Sequence, residues 1–133
     1  MKKVLIVEDE EIICDIMADL FRSKGYDVTS ASTGNEASAK SSQSEFDVVI
    51  SDVRMPDGDG IELANELAIR NPQRPFFIFV TGYLAEKAEV PPNVVKIFTK
   101  PVRFEDIYTY TESLFKKSSW RIGRDLQPKI AQI

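Results

Sequence analysis

Five side chains, spread over the chain and each placed just behind an apolar run, carry the groups needed to handle a phosphoryl group: Glu8, Asp9, Asp52, Thr81 and Lys100. Three carboxylates on one rim repel each other, and a hard divalent cation relieves that repulsion. Mg2+ takes oxygen ligands, typically one or two carboxylates, and keeps waters that a phosphate can replace. An ammonium and a hydroxyl complete the parts that hold the equatorial oxygens of a transferring phosphoryl group. The chain has no histidine, so a nucleophile would have to be a carboxylate, and Asp52 is the central candidate. Ordinary explanations compete with this one. Glu10 and Glu11 fall in the first turn of a helix, where the dipole favours negative charge. Glu8 or Asp9 alone reads equally well as a helix cap, Thr81 as another cap, and Lys100 as a surface lysine. Asp52 is harder to set aside, because a carboxylate ending the buried run "VVIS" is costly unless something pairs with it.

Alternating elements place these groups. Five short runs rich in β-branched and aromatic residues predict strands at 4–7, 26–31, 46–51, 76–80 and 94–98. All but the second are nearly continuous, the pattern of strands buried on both faces. Ile12, Ile13, Ile16, Met17, Leu20 and Phe21 recur at helical spacing, with Gly25 as the stop, and helical signals follow at 34–43, 60–70, 84–90 and 103–117. Five strand-helix alternations predict a doubly wound α/β fold with a parallel sheet, whose ligand crevice lies outside the carboxyl ends of the strands. Glu8 and Asp9, Asp52, Thr81 and Gly82, then Thr99, Lys100 and Pro101 all converge there.

Bulk properties bound the partners. The length of 133 residues suits one domain, and 43% hydrophobic with 29% charged residues is ordinary for a soluble globular chain. A net charge of −4 opposes direct binding to nucleic acid or to an anionic membrane. The apolar segment behind "MKK" is too short for a signal peptide or a span, and the lone Cys14 excludes an internal disulfide, so the expected location is the cytoplasm. Cys14 reads as a core residue.

Four segments in order, "VLIVEDEE", "VVISDVRMPDGDG", "VTGY" and "FTKP", resemble the motifs of response-regulator receiver domains of two-component signalling, CheY-like proteins, over about residues 2–117. The resemblance implies a flavodoxin-like (βα)5 fold with a five-stranded parallel sheet of order 2-1-3-4-5. It implies that Asp52 is the phosphoacceptor, forming an aspartyl phosphate with a phosphoryl group from a sensor histidine kinase or phosphotransfer protein, and that phosphorylation changes binding to a downstream protein. Asp9 would be a direct Mg2+ ligand, Glu8 would hold the metal through water, and the main-chain carbonyl of Arg54 would be a third protein ligand, with Mn2+ as a substitute metal. Thr81 and Lys100 would hold phosphoryl oxygens. Met55 and Pro56 would shape the turn after the acceptor, Gly60 would admit the chain to the third helix, Gly82 would leave a path to the site, and Pro101 would be cis, aiming the lysine inward. Such a domain is a self-phosphorylating and self-dephosphorylating switch rather than an enzyme acting on a separate substrate.

Departures from the family pattern are specific. Three positions before the lysine, where the family usually has an aromatic switch residue, stands Ile97, and Phe98 faces the opposite way. The helix expected at 84–90 is short and followed by Pro91 and Pro92, on what is usually the output face; Tyr83 and Arg54 fall where the family tunes access of water. The stretch 119–133, with Trp120, Ile122, Leu126, Ile130 and Ile133 but also Gly123 and Pro128, lies outside the resemblance. It reads as a tail that packs on the receiver domain of residues 1–118 or on a second copy in a homodimer, and the chain has no room for a folded output module. Three other readings stay open at this level: a phosphorylation-independent interaction module, a Mg2+-dependent phosphatase with an aspartyl nucleophile, and an FMN carrier, the last disfavoured by acids where the cofactor phosphate would sit.

Overall fold

Val4, Leu5, Ile6 and Val7 follow one another without a polar break because neither side of their strand meets water; each is at most 1% exposed. In the computed structural model, which describes residues 1–55, 57–82 and 90–121, this strand is β1 (Lys3–Val7), followed by α1 (Glu11–Ser23), β2 (Asp27–Ala31), α2 (Gly34–Gln43), β3 (Val48–Ser51), α3 (Gly60–Arg70), β4 (Phe76–Thr81), β5 (Val94–Thr99) and α4 (Phe104–Arg121). The strands form one five-stranded sheet in the order β2-β1-β3-β4-β5, every pair parallel. This is the doubly wound arrangement that the alternation of elements requires. Residues 84–89 of the helix expected at 84–90, and the tail beyond residue 121, lie outside the described residues.

Alternate residues of each central strand feed two cores. Val4, Ile6, Val48, Ile50, Ile78 and Val80 pack against α1 and α4, while Leu5, Val7, Val49, Phe77 and Phe79 pack against α2 and α3. On the first side Phe21 meets Tyr26 and Tyr108 edge-on, with ring centroids 5.1 and 5.7 Å apart. The second side is thinner: α2 buries only Gly34 and Ala37.

Three expectations need correction. The buried stripe of α1 is Cys14, Met17, Ala18 and Phe21, the i, i+3, i+4, i+7 set, which leaves Ile12 and Ile16 exposed at 74% and 51%. Glu10 is the N-cap rather than a first-turn residue and its side chain caps nothing, so Glu11 alone faces the dipole. Although "VVKIF" reads as a continuous apolar run, β5 is an edge strand with Lys96 and Ile97 exposed. Its last aromatic, Phe98, turns to the α4 side and meets Tyr110 at 5.9 Å, so the offset between Ile97 and Phe98 does send them to opposite faces. Among the described residues no helix is long and apolar enough to cross a membrane.

Tyr26, just before β2, is tied to α4 by donating to Glu112 Oε2 at 2.6 Å, where Lys2 Nζ also donates at 3.3 Å. The Tyr26 hydrogen bond, outweighing the effect of burial, and then Lys2 hold the Glu112 carboxyl below its usual range. A carboxyl lowered by folding contributes stability above its unfolded pKa, and that contribution is lost as pH falls through the lower folded value. Glu112→Gln is therefore expected to lower the midpoint of thermal unfolding at neutral pH, with the difference from wild type closing in acid below about pH 4, the ordinary carboxylate range. Circular dichroism melts across pH check this, and a difference independent of pH would refute it.

Candidate functional site

The register of the sheet brings the strand ends level. Val7 pairs with Ser51 and Ser51 with Phe79, so the next residues, Glu8 and Asp52, leave the sheet side by side. Thr81 pairs with Thr99, and Lys100 follows at once, its N–H donating to the Thr81 carbonyl at 2.9 Å. The Lys100–Pro101 peptide is cis, as expected.

Lys100 crosses the end of β4 to reach both acids. Its Nζ lies 3.1 Å from Asp52 Oδ2 and 3.7 Å from Glu8 Oε1. The other oxygens are held by backbone: Asp52 Oδ1 accepts from the Val53 and Arg54 amides at 2.7 and 3.3 Å, and Glu8 Oε2 accepts from the Glu10 amide at 3.1 Å. Glu8 is 5% exposed. Burial pushes its carboxyl up, against the opposing pull of the Glu10 amide and the Lys100 charge. Burial alone would lower Lys100, but the hydrogen bond to Asp52 and the charges of Glu8 and Asp52 outweigh it and push the ammonium up. Lys100 is thus firmly cationic, and the repulsion between Glu8 and Asp52 is relieved by it.

The remaining expected residues fall around this trio. Asp9 is exposed, next to buried Glu8. Thr81 is buried at the end of β4, while Gly82 is exposed, with a Cβ there meeting nothing closer than Lys100 Cβ and Cδ at 4.0 Å. Arg54 is exposed and forms an antiparallel bridge with Asp59; Met55 packs against the α2 and α3 side; Pro56 lies outside the described residues, as does Tyr83. Ile97 is 43% exposed and joins no buried cluster. Gly60 has a sharper role than admitting a helix: a Cβ on it would stand 2.5 Å from the Asp52 carbonyl oxygen and 2.9 Å from the Phe79 ring. The chain turns so tightly after Asp52 that only glycine fits. Ser51, not anticipated, donates from Oγ to the Asp52 carbonyl at 2.8 Å, and its only sequence signal was a hydroxyl in an otherwise apolar run.

Among the described residues no group of three or more carboxylate, histidine or cysteine side chains is close enough to form a metal cage. The three acids therefore do not make a preformed trap. Mg2+ does not need one: a carboxylate or two, a carbonyl and water suffice. The residues that could supply such an all-oxygen set are Asp52, exposed Asp9, buried Glu8, whose Oε1 lies 3.7 Å from Lys100 Nζ, and the Arg54 carbonyl.

Comparison with known proteins gives a consistent answer. A family model described as the response regulator receiver domain matches residues 4–112. The chain is 33% identical over 104 residues to the transcriptional regulatory protein ZraR of Salmonella typhimurium, covering 77% of this chain but 24% of that protein. It thus spans about a quarter of the length of that relative. It is 27% identical over 117 residues to the response regulator receiver protein CpdR of Brucella abortus, covering 86% of this chain and 97% of that one. Among solved structures, the response regulator protein TrrA of Thermotoga maritima in complex with Mg2+-BeF superposes with a TM-score of 0.76 at 26% identity, over 86% of this chain and 99% of that chain.

Gly60 supplies a test of the site's construction. Alanine has the higher helix propensity, by about 1 kcal/mol, and would stabilise α3 if propensity decided. The contacts at Asp52 and Phe79 decide otherwise, and Gly60→Ala is expected to cost roughly 1–3 kcal/mol in urea unfolding, the usual range for forced overpacking. Equal or greater stability than wild type would show that the turn has room.

Proposed function

The chain belongs to the response regulator receiver domain family of two-component systems, and on that premise we propose that it is a phosphoacceptor switch in which Asp52 carries the phosphoryl group. The observation that supports this best is the shared Lys100: a buried acid and the candidate acceptor hold one ammonium within 3.7 Å of both. A phosphoryl group on Asp52 would keep that ammonium as its partner.

In this reading an Asp52 carboxylate oxygen attacks the phosphorus of a phosphohistidine on a sensor histidine kinase or phosphotransfer protein. The new O–P bond forms as the P–N bond breaks, leaving an aspartyl phosphate and a free imidazole. Lys100 pairs with one phosphoryl oxygen and the Thr81 hydroxyl donates to another. Asp9, Asp52, the Arg54 carbonyl and, through water, Glu8 would hold Mg2+ or Mn2+, which supplies positive charge to the phosphoryl oxygens. Gly82, exposed and without a side chain, would leave a path to Asp52. In this reading the domain acts as a switch that phosphorylates itself from small phospho-donors, loses the group by hydrolysis, and alters binding to a downstream protein or a second copy of the chain. The cytoplasm, where Cys14 stays reduced, is its proposed location.

One observation favours a second reading, a phosphorylation-independent interaction module. Ile97 is aliphatic where the family usually has an aromatic switch residue, and it is 43% exposed.

Incubation with acetyl phosphate and Mg2+ separates the two. Intact-mass measurement is expected to show one added phosphoryl group on wild type and none on Asp52→Asn or without metal. A wild-type chain that stays unmodified, or an Asp52→Asn chain that still gains mass, would favour the second reading.

A further inference from the structure

The turn that follows Asp52 rests on α2, a helix that contributes almost nothing to the core. We propose that the N-terminus of α2 is the abutment that positions this turn, with Gly34 as a positioning residue for the Arg54 carbonyl and hence for the cation. The inference rests on the phosphoacceptor reading.

The turn is fixed near Asp52 by the Gly60 amide donating to the Val53 carbonyl at 2.8 Å and by the bridge between Arg54 and Asp59. Its outer end has a less favourable conformation. Asp57 and Gly58 have φ of 57° and 108°, and left-handed backbone at a residue with a side chain needs compensation from outside. It comes from α2: the Asn35 amide donates to the Asp57 carbonyl at 3.1 Å. The two backbones touch here. A Cβ on Gly34 would lie 2.9 Å from the Asp57 carbonyl oxygen and 3.1 Å from Gly58 Cα, and neither atom can rotate away.

The abutment is itself anchored to the sheet. Thr33 Oγ1 caps the helix by accepting from the Glu36 amide at 3.0 Å, and Glu36 Oε1 accepts from the Ser32 amide at 2.8 Å. Lys40 joins Glu36 Oε2 at 2.9 Å and donates to the Ser30 carbonyl of β2 at 2.7 Å. These bonds hold Glu36 ionised, with a pKa of about 2, chiefly through the Ser32 amide. With only Gly34 and Ala37 buried, α2 is held mainly by polar bonds: Thr33 and Glu36 at its start, Ser38 to Glu66 of α3 at 2.7 Å, and Lys40 in its last turn. The turn presses on the end that Thr33 caps.

Gly34 has no positive φ, so alanine suits its backbone and favours the helix; only the contact with the turn opposes it. The test is a Mg2+ titration of the folded chain followed by the amide chemical shifts of Asp9, Arg54 and Asn35. Gly34→Ala is expected to raise the Mg2+ midpoint roughly tenfold, the effect of losing a group that orients a metal ligand. Ala37→Gly, which loosens α2 without adding an atom near Asp57, should leave the midpoint where it is. In wild type the Asn35 amide should shift with the same midpoint as Arg54. An unchanged midpoint in Gly34→Ala, an equal change in Ala37→Gly, or an Asn35 amide indifferent to Mg2+ each overturns the inference alone. The last is read on wild type and holds even if Gly34→Ala fails to fold. Absence of any Mg2+-dependent shift at Asp9 or Arg54 overturns the phosphoacceptor reading, and this inference with it.

Discussion

Lys100 stands 3.1 Å from Asp52 and 3.7 Å from Glu8, and the site is built around the need to share that one cation. Two carboxylates leaving adjacent strands at the mouth of an apolar sheet repel more strongly than they would in water. Backbone amides satisfy one oxygen of each, and the ammonium neutralises the others. To arrive there it must come from β5 and cross the end of β4. The strand order, the pairing of Thr81 with Thr99 and the small Gly82 beside the lysine stem make that crossing short.

A second constraint is backbone proximity. Gly60 lies under the Asp52 carbonyl and Gly34 against Asp57 and Gly58, so the turn after Asp52 is gripped at both ends by residues without side chains. Protein interiors resist even small added volume. A turn held in this way keeps its carbonyls where the fold puts them, which is what a hard cation with strict geometry requires.

Much of this was legible in the sequence. "VLIV" and "VVIS" announced central strands because both faces are buried, and the placement of acids, hydroxyl and lysine behind such runs located the rim. β5 was misread as buried because an edge strand with one apolar face and a bulge near Phe77 can still show a continuous apolar run. The stripe of α1 was misplaced because eight apolar residues on a helix allow more than one face, and packing chose Cys14, Met17, Ala18 and Phe21. The pairing of Glu8 with Lys100 had no local signal, since it depends on how strands distant in the chain are ordered. Gly34 reads as an ordinary residue at a helix start, and its reason lies in a turn that the sequence places elsewhere.

If Asp52 carries the phosphoryl group as proposed, negative charge would move outward from Asp52 and draw the Lys100 ammonium with it, away from Glu8. The most direct measurement is the NMR signal of the Lys100 ammonium as beryllofluoride, a phosphoryl analogue, is added with Mg2+. The expected result is a shift that saturates when the site is filled and is absent in Asp52→Asn. An ammonium signal that stays put while the Asp52 amide responds would contradict the sharing of Lys100 as the pivot of the site.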